Sequence, residues 1–184
     1  MQIYKAFFLN RFAIYSITIC QLVSMTMDCD AKNVYVSYIK GSSKYNGLSI
    51  ARPKKLIQDG ANIAKPGDSV LIMDGIYTNN CPTCNVVDIR KSGKADKYIT
   101  FINFPNHHPV INFDGWAGIA IQNGASYIKI IGLEIVGNRA KINLRDAINQ
   151  PQGCARKKGT IDAKFNGNGI AIGDNSKKHS HHII

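Results

Sequence analysis

Short aliphatic runs return along this chain at a fixed interval. VLIM begins at Val70, ITFI at Ile99 and IKII at Ile128, two successive steps of 29 residues (99 minus 70, 128 minus 99). The runs are brief and bounded by Gly, Asn, Asp and Pro, the pattern of strands between turns and not of helices. A unit of this size built from strands and turns cannot bury its own apolar edge, so it must stack on copies of itself. The spacing predicts an all-β solenoid, a parallel β-helix whose equivalent strands share one aliphatic column.

Each interval holds two more runs. The first has Ile76-Tyr77 and then Val86–Ile89, and the second has Val110–Phe113 and then Gly118–Ile121. The third begins with Leu133–Val136 and reaches its last run only at Gly169–Ile172, after the long segment 138–168. GIAI therefore occurs twice, 51 positions apart (169 minus 118), as the third strand of two successive coils. Three strands per period give about three coils. HHII at 181–184 is expected to start another, so the solenoid reads as incomplete at the C-terminus. Within GIAIQN, strand alternation predicts Ile119 and Ile121 inward, Ala120 and Gln122 outward. Asn123-Gly124 and Asp114-Gly115 suit corners that need positive φ.

Ahead of the coils, Asn33–Ser37 alternates like a strand and leads into a polar turn over 40–47. Pro53 opens a helix-like stretch, PKKLIQDGANIA, which places Leu56, Ile57, Ala61 and Ala64 on one face. Pro66-Gly67-Asp68 ends it. One amphipathic helix before an all-strand region predicts a cap over the open end of the stack. Farther upstream, Lys5 and Arg11 precede an apolar run from Phe12 to Val23 that is too short to span a bilayer comfortably. It reads as a signal peptide cleaved after Ala31, with an uncleaved anchor as the alternative. The organisation is then a signal peptide over 1–31, an N-terminal strand and capping helix over 32–68, and coils over 69–184 with a basic insertion at 138–168.

Export implies an oxidising, extracellular location for Cys81, Cys84 and Cys154. Cys81-Pro82-Thr83-Cys84 lies between two strand-like runs and not at the start of a helix, which favours a structural loop staple, or a link to Cys154, over redox chemistry. The chain carries a formal net charge of +11, and loss of residues 1–31 removes two basic and two acidic side chains, leaving it unchanged. A secreted basic surface points to a polyanion. Zinc-finger spacing and stacking-aromatic RNA motifs are absent, so nucleic acid is not the expected partner.

The stretches VYVSYIKGSSKYNG, PKKLIQDGANIAKPGDSVLIMDGIYT, VVDIRKSGKADKYITFINFPNHHPVINFDG and GIAIQNGASYIKIIGLEIVGN resemble the secreted right-handed parallel β-helix proteins that are pectate-lyase-like, of the polysaccharide lyase family 9 type. They cover most of residues 33–138. The resemblance implies an N-terminal portion of a carbohydrate-active β-helix protein acting on acidic polysaccharide such as pectate by eliminative cleavage. It implies calcium as cofactor, with the ligands and the catalytic base on later coils, so no catalytic or metal residue is carried onto this chain. The full-length protein is expected to be a monomer, off the membrane once the signal is removed; the fragment alone is expected to be inactive and, with its last coil uncovered, poorly soluble. The alternative is a non-catalytic β-helix that serves as a surface, adhesion or carbohydrate-binding protein.

Candidate substrate-binding residues follow from the chemistry. The insertion carries Arg145, Arg156, Lys157 and Lys158 among its basic side chains, and guanidinium groups suit bidentate contact with uronate carboxylates. Trp116 follows a turn and offers a flat apolar face to a sugar ring. Asp74, Asp88, Asp114 and Asp174 lie at turns or strands of different coils and form no cluster of the kind calcium needs. Alternation in HSHH divides the histidines between two strand faces, which argues against chelation.

Overall fold

The computed structural model describes residues 30–151, 158–173 and 176–184. The chain divides into two compact units, Met1–Asp30 and Ala31–Ile184. The signal segment expected over 1–31 falls almost wholly outside the described residues, as do Cys154, Arg156, Lys157 and Asp174. No helix among the described residues is long and apolar enough to cross a membrane.

The second unit winds as a right-handed parallel β-helix. Its strands are β1 (Asn33–Val36), β2 (Ser69–Ile72), β3 (Ile76–Thr78), β4 (Val87–Ile89), β5 (Ile99–Asn103), β6 (Val110–Asn112), β7 (Ala117–Ile121), β8 (Ile128–Ile131), β9 (Glu134–Val136) and β10 (Asn168–Ile172). Three sheets run β1-β2-β5-β8, β3-β6-β9 and β4-β7-β10, and every pairing is parallel. Three coils result, β2-β3-β4, β5-β6-β7 and β8-β9-β10. The inward side chains stack in columns: Val34, Val70 and Phe101 in the first sheet, Tyr77 and Ile111 in the second, and Ile89 and Ile121 in the third, all buried.

The register differs from the 29-residue spacing at one step. Ile99 does pair with Ile128, but Val70 pairs with Phe101, a step of 31 (101 minus 70). A shift of two preserves the side-chain parity of a strand, so the apolar pattern is the same in either register. Ala120 is another departure. Expected outward, it is 2% exposed, because its methyl sits between Asp88 and Ala171 on the paired strands and does not rise past them.

The coil before β2 is completed without strands in the other two sheets. Helix α1 (Ile57–Ile63) takes the place of a third strand and covers the end of the stack with Ile57, Gly60 and Ala61, followed by buried Ala64. It starts later than the sequence predicts. Leu56 is extended and half exposed, and its N–H lies 3.4 Å from the Asp59 carboxylate, so the helix opens after it. Gly60 allows the close approach, since a Cβ there would lie 2.9 Å from Val70 Cγ1. Gln58 closes the exposed edge of β4: its Oε1 accepts from the Asp88 N–H at 2.7 Å and its Nε2 donates to the Asp88 carbonyl at 3.1 Å. One side-chain amide thus supplies the ladder bonds that a missing strand would have made.

Corners are built as the turn residues suggest, with one exception. Asn123 and Gly124 have φ of 57° and 70°. Gly115 is not in the left-handed region; it is glycine because a Cβ would lie 2.1 Å from the Cys84 carbonyl oxygen. Residues 181–184 run beside β8, where Ile183 bridges Ile128 and Ile130 N–H donates to the Ile184 carbonyl at 2.8 Å. His182 does not alternate as a strand residue. Its φ is 53°, and its ring stacks on Tyr127 at 4.7 Å and 10°.

Candidate functional site

Cys81 and Cys84 form a disulfide, the loop staple expected from their spacing. It closes the connection between β3 and β4 and holds Thr83, Cys84 and Asn85 against one side of a groove of about 560 Å³. The opposite side is the start of α1. Trp116, at the corner before β7, and Gln122, just after it, complete the walls, and Asp88 and Arg90 lie on β4 and its continuation. This volume falls within the ~300–1,000 Å³ usual for ligand sites.

Backbone packing sets these positions. Gly115 rests on the Cys84 carbonyl, and the Trp116 carbonyl accepts from Asn168 N–H at 2.9 Å where the chain returns from its excursion. Trp116 is left half-buried with part of its ring in the groove. Asp88 Oδ1 accepts from Asn85 Nδ2 at 2.7 Å, and its other oxygen lies 3.8 Å from the Arg90 guanidinium. Asn85 Oδ1 is buried beside the groove with no hydrogen-bond partner among the described residues, an unusual state for a buried acceptor. Asp59 is held by the Ser43 hydroxyl at 2.7 Å.

The other residues singled out by sequence scatter over the molecule. Arg145 lies on α2 (Leu144–Ile148), exposed, and does not line the groove; Lys158 is exposed as well. Lys141, from the same insertion, reaches a smaller depression of about 260 Å³ beside Asn79 and Asp114. The carboxylates do not converge. Asp114 pairs with Asn79, whose Nδ2 donates to it at 2.8 Å, while Asp74 accepts from the His108 N–H at 2.6 Å and lies 3.0 Å from His107 Nδ1. No group of three or more His, Cys, Asp or Glu among the described residues could hold a metal ion. Calcium therefore does not fit Asp74 or Asp114, each of which ties one coil to the next.

Asn85, Gln58 and Arg90 escaped the sequence reading. The CxxC spacing was the available signal, because a staple beside a corner tryptophan builds a wall that a strand alone cannot.

No family model matches the chain, and no curated protein matches it. Among solved structures, a rhamnogalacturonan lyase is similar at 24% identity and a TM-score of 0.49, over 58% of this chain and 29% of that one. A lacto-N-biosidase from Eubacterium ramulus is similar at 19% identity and a TM-score of 0.49, over 56% and 20%. Pectate lyase Pel9A is similar at 22% identity and a TM-score of 0.47, over 58% and 28%. The chain thus spans less than a third of the length of each. Its strand pairing, three parallel sheets stacked coil on coil, makes it a right-handed parallel β-helix.

Proposed function

We propose that this β-helix binds an extracellular acidic polysaccharide such as pectate in the groove between α1 and the stapled loop. The observation that carries the reading is the groove itself, an aromatic face set among amide, hydroxyl and charged side chains on a rigid scaffold. That is the lining a sugar requires: an apolar plane for the ring face and directional partners for its hydroxyls. The net charge of +11 supports a polyanion. The Cys81–Cys84 disulfide supports an oxidising, secreted location.

Eliminative cleavage is the activity that the resemblance to pectate-lyase-like proteins suggests. Calcium belongs to it only as an ion held by ligands beyond the described residues. Binding without cleavage is favoured by a specific feature: Asp59 and Asp88, the groove's carboxylates, are both engaged by neighbours that hold the fold together. Affinity electrophoresis through polygalacturonate, with Trp116→Ala beside the unaltered protein, tests the binding. Incubation of the same protein with polygalacturonate and calcium, followed by the absorbance of unsaturated product, tests the chemistry. Retardation that Trp116→Ala abolishes is the expected result. Retardation without product assigns a binding module, and migration unaffected by any acidic polymer rejects the proposal.

A further inference from the structure

A second depression of about 270 Å³ adjoins the groove, and the two share Gln58, Asp88 and Arg90. Three side chains border both, so the depressions adjoin along the flank of α1, with the Gln58–Asp88 bridge where they meet. The second adds Ala61 and Asn62 from the helix and Lys91 from the strand continuation. The pair of depressions therefore has chemically distinct ends. Trp116 and Thr83 line the first depression and not the second, whereas Lys91 lines the second and not the first.

The cationic end keeps donors available. Arg90 is 64% exposed in its side chain and stands 3.8 Å from Asp88, beyond hydrogen-bond length, so its planar fork is not consumed by that pair. Asp88, which accepts from Asn85 Nδ2 at 2.7 Å, lines both depressions, so the two cations stand against one carboxylate there. Lys91 Nζ donates to the Asn62 carbonyl, which anchors the ammonium on the helix flank, and among the described residues it makes no second bond. An arginine fork beside a point-charge lysine suits a carboxylate, which the fork can grip in bidentate fashion.

We infer that these adjoining depressions read an acidic oligosaccharide in one direction, stacking one sugar ring on Trp116 and gripping the carboxylate of a uronate farther along the chain with Arg90 and Lys91. The inference rests on the proposed carbohydrate function and deepens it by naming the residues that recognise charge, which lie on the coil and not on the 138–168 insertion. Recognition of charge and recognition of the ring then belong to different side chains, so they are separable by substitution.

The test compares binding to polygalacturonate with binding to its fully methyl-esterified form, which has the same backbone and no charge. The unaltered protein is expected to prefer the acid form. Arg90→Gln combined with Lys91→Gln should cut that preference about tenfold, the scale of a charge-assisted hydrogen bond, by weakening the acid form far more than the ester. Trp116→Ala should weaken both polymers together. Both cationic side chains are exposed, so the double variant should keep its thermal midpoint, which calorimetry checks. A preference unchanged in the double variant, with Trp116→Ala still weakening both, overturns the directional reading and leaves the carbohydrate site standing. Binding indifferent to all three substitutions removes the site as well.

Discussion

From Ser69 to Val136 the chain is held by what lies above and below it; the described residues of the excursion, 138–151 and 158–167, are held mostly by bonds among themselves. In the coils, Phe101 is 1% exposed, flanked by Val70 on one paired strand and by Ile130 on the other. In the excursion, neither α2 nor the short 3-10 turn at Arg139–Lys141 buries a residue, and the turn at Ala163–Phe165 buries Ala163 alone. Local caps take over there: Asn143 accepts from the Arg145 N–H at 2.8 Å and Asp162 from the Lys164 N–H at 3.1 Å. A repeating scaffold can carry such a segment because closing a longer loop adds little entropy cost, provided both ends meet the same coil. Its ends are pinned by β9 and by the Asn168 bond to Trp116.

Four substitutions bear on that contrast. Phe101→Ala empties a fully enclosed position and should cost about 3–5 kcal/mol in denaturant unfolding. Tyr77→Phe comes next. The Tyr77 hydroxyl donates to the Met73 carbonyl at 2.9 Å and accepts from the Tyr38 N–H at 3.1 Å, so its loss leaves one buried and one part-buried backbone group unpaired, at about 1–3 kcal/mol. Burial also holds that hydroxyl well above the usual tyrosine range, with the Tyr38 bond opposing and Asp74 adding to the rise. A raised folded value means its contribution is intact below the unfolded value of about 10 and lost as pH climbs past it. Stability measured against pH should fall more steeply above that point in the unaltered protein than in Tyr77→Phe.

Gln58→Ala should cost about 1–2 kcal/mol, by uncovering the edge of β4, and amide exchange at Asp88 should quicken while exchange in β5 and β8 does not. Leu144→Ala, at a position 73% exposed on α2, should change global stability by less than about 0.5 kcal/mol. A cost at Leu144 comparable with that at Phe101 would show the excursion to be packed as core and would erase the distinction.

The aliphatic runs made the coils legible, because a stack of strands must place apolar side chains at every second residue, facing inward, and here such runs recur at a regular interval. A structural role for the cysteines was legible from their place in a strand connection, but the choice of Cys81–Cys84 over a link to Cys154 came from the structure. The start of α1 was not, since Pro53 and the polar residues after it suit a turn as well as a first helical turn. The groove was not legible either: Gln58, Asn85 and Arg90 are ordinary polar residues until the coil places them beside Trp116.

By itself the sequence determined that strands recur, which side of each strand is apolar, and that a helix precedes them, because these depend on residue type and period. Tertiary structure alone decided the two-residue offset between Val70 and Phe101, the use of Gln58 as a substitute strand edge, and the meeting of α1 with the Cys81–Cys84 loop. Strand parity is blind to shifts of two, and side chains from 58, 85, 90 and 116 become neighbours only when winding brings successive turns of the chain within a few ångströms of each other.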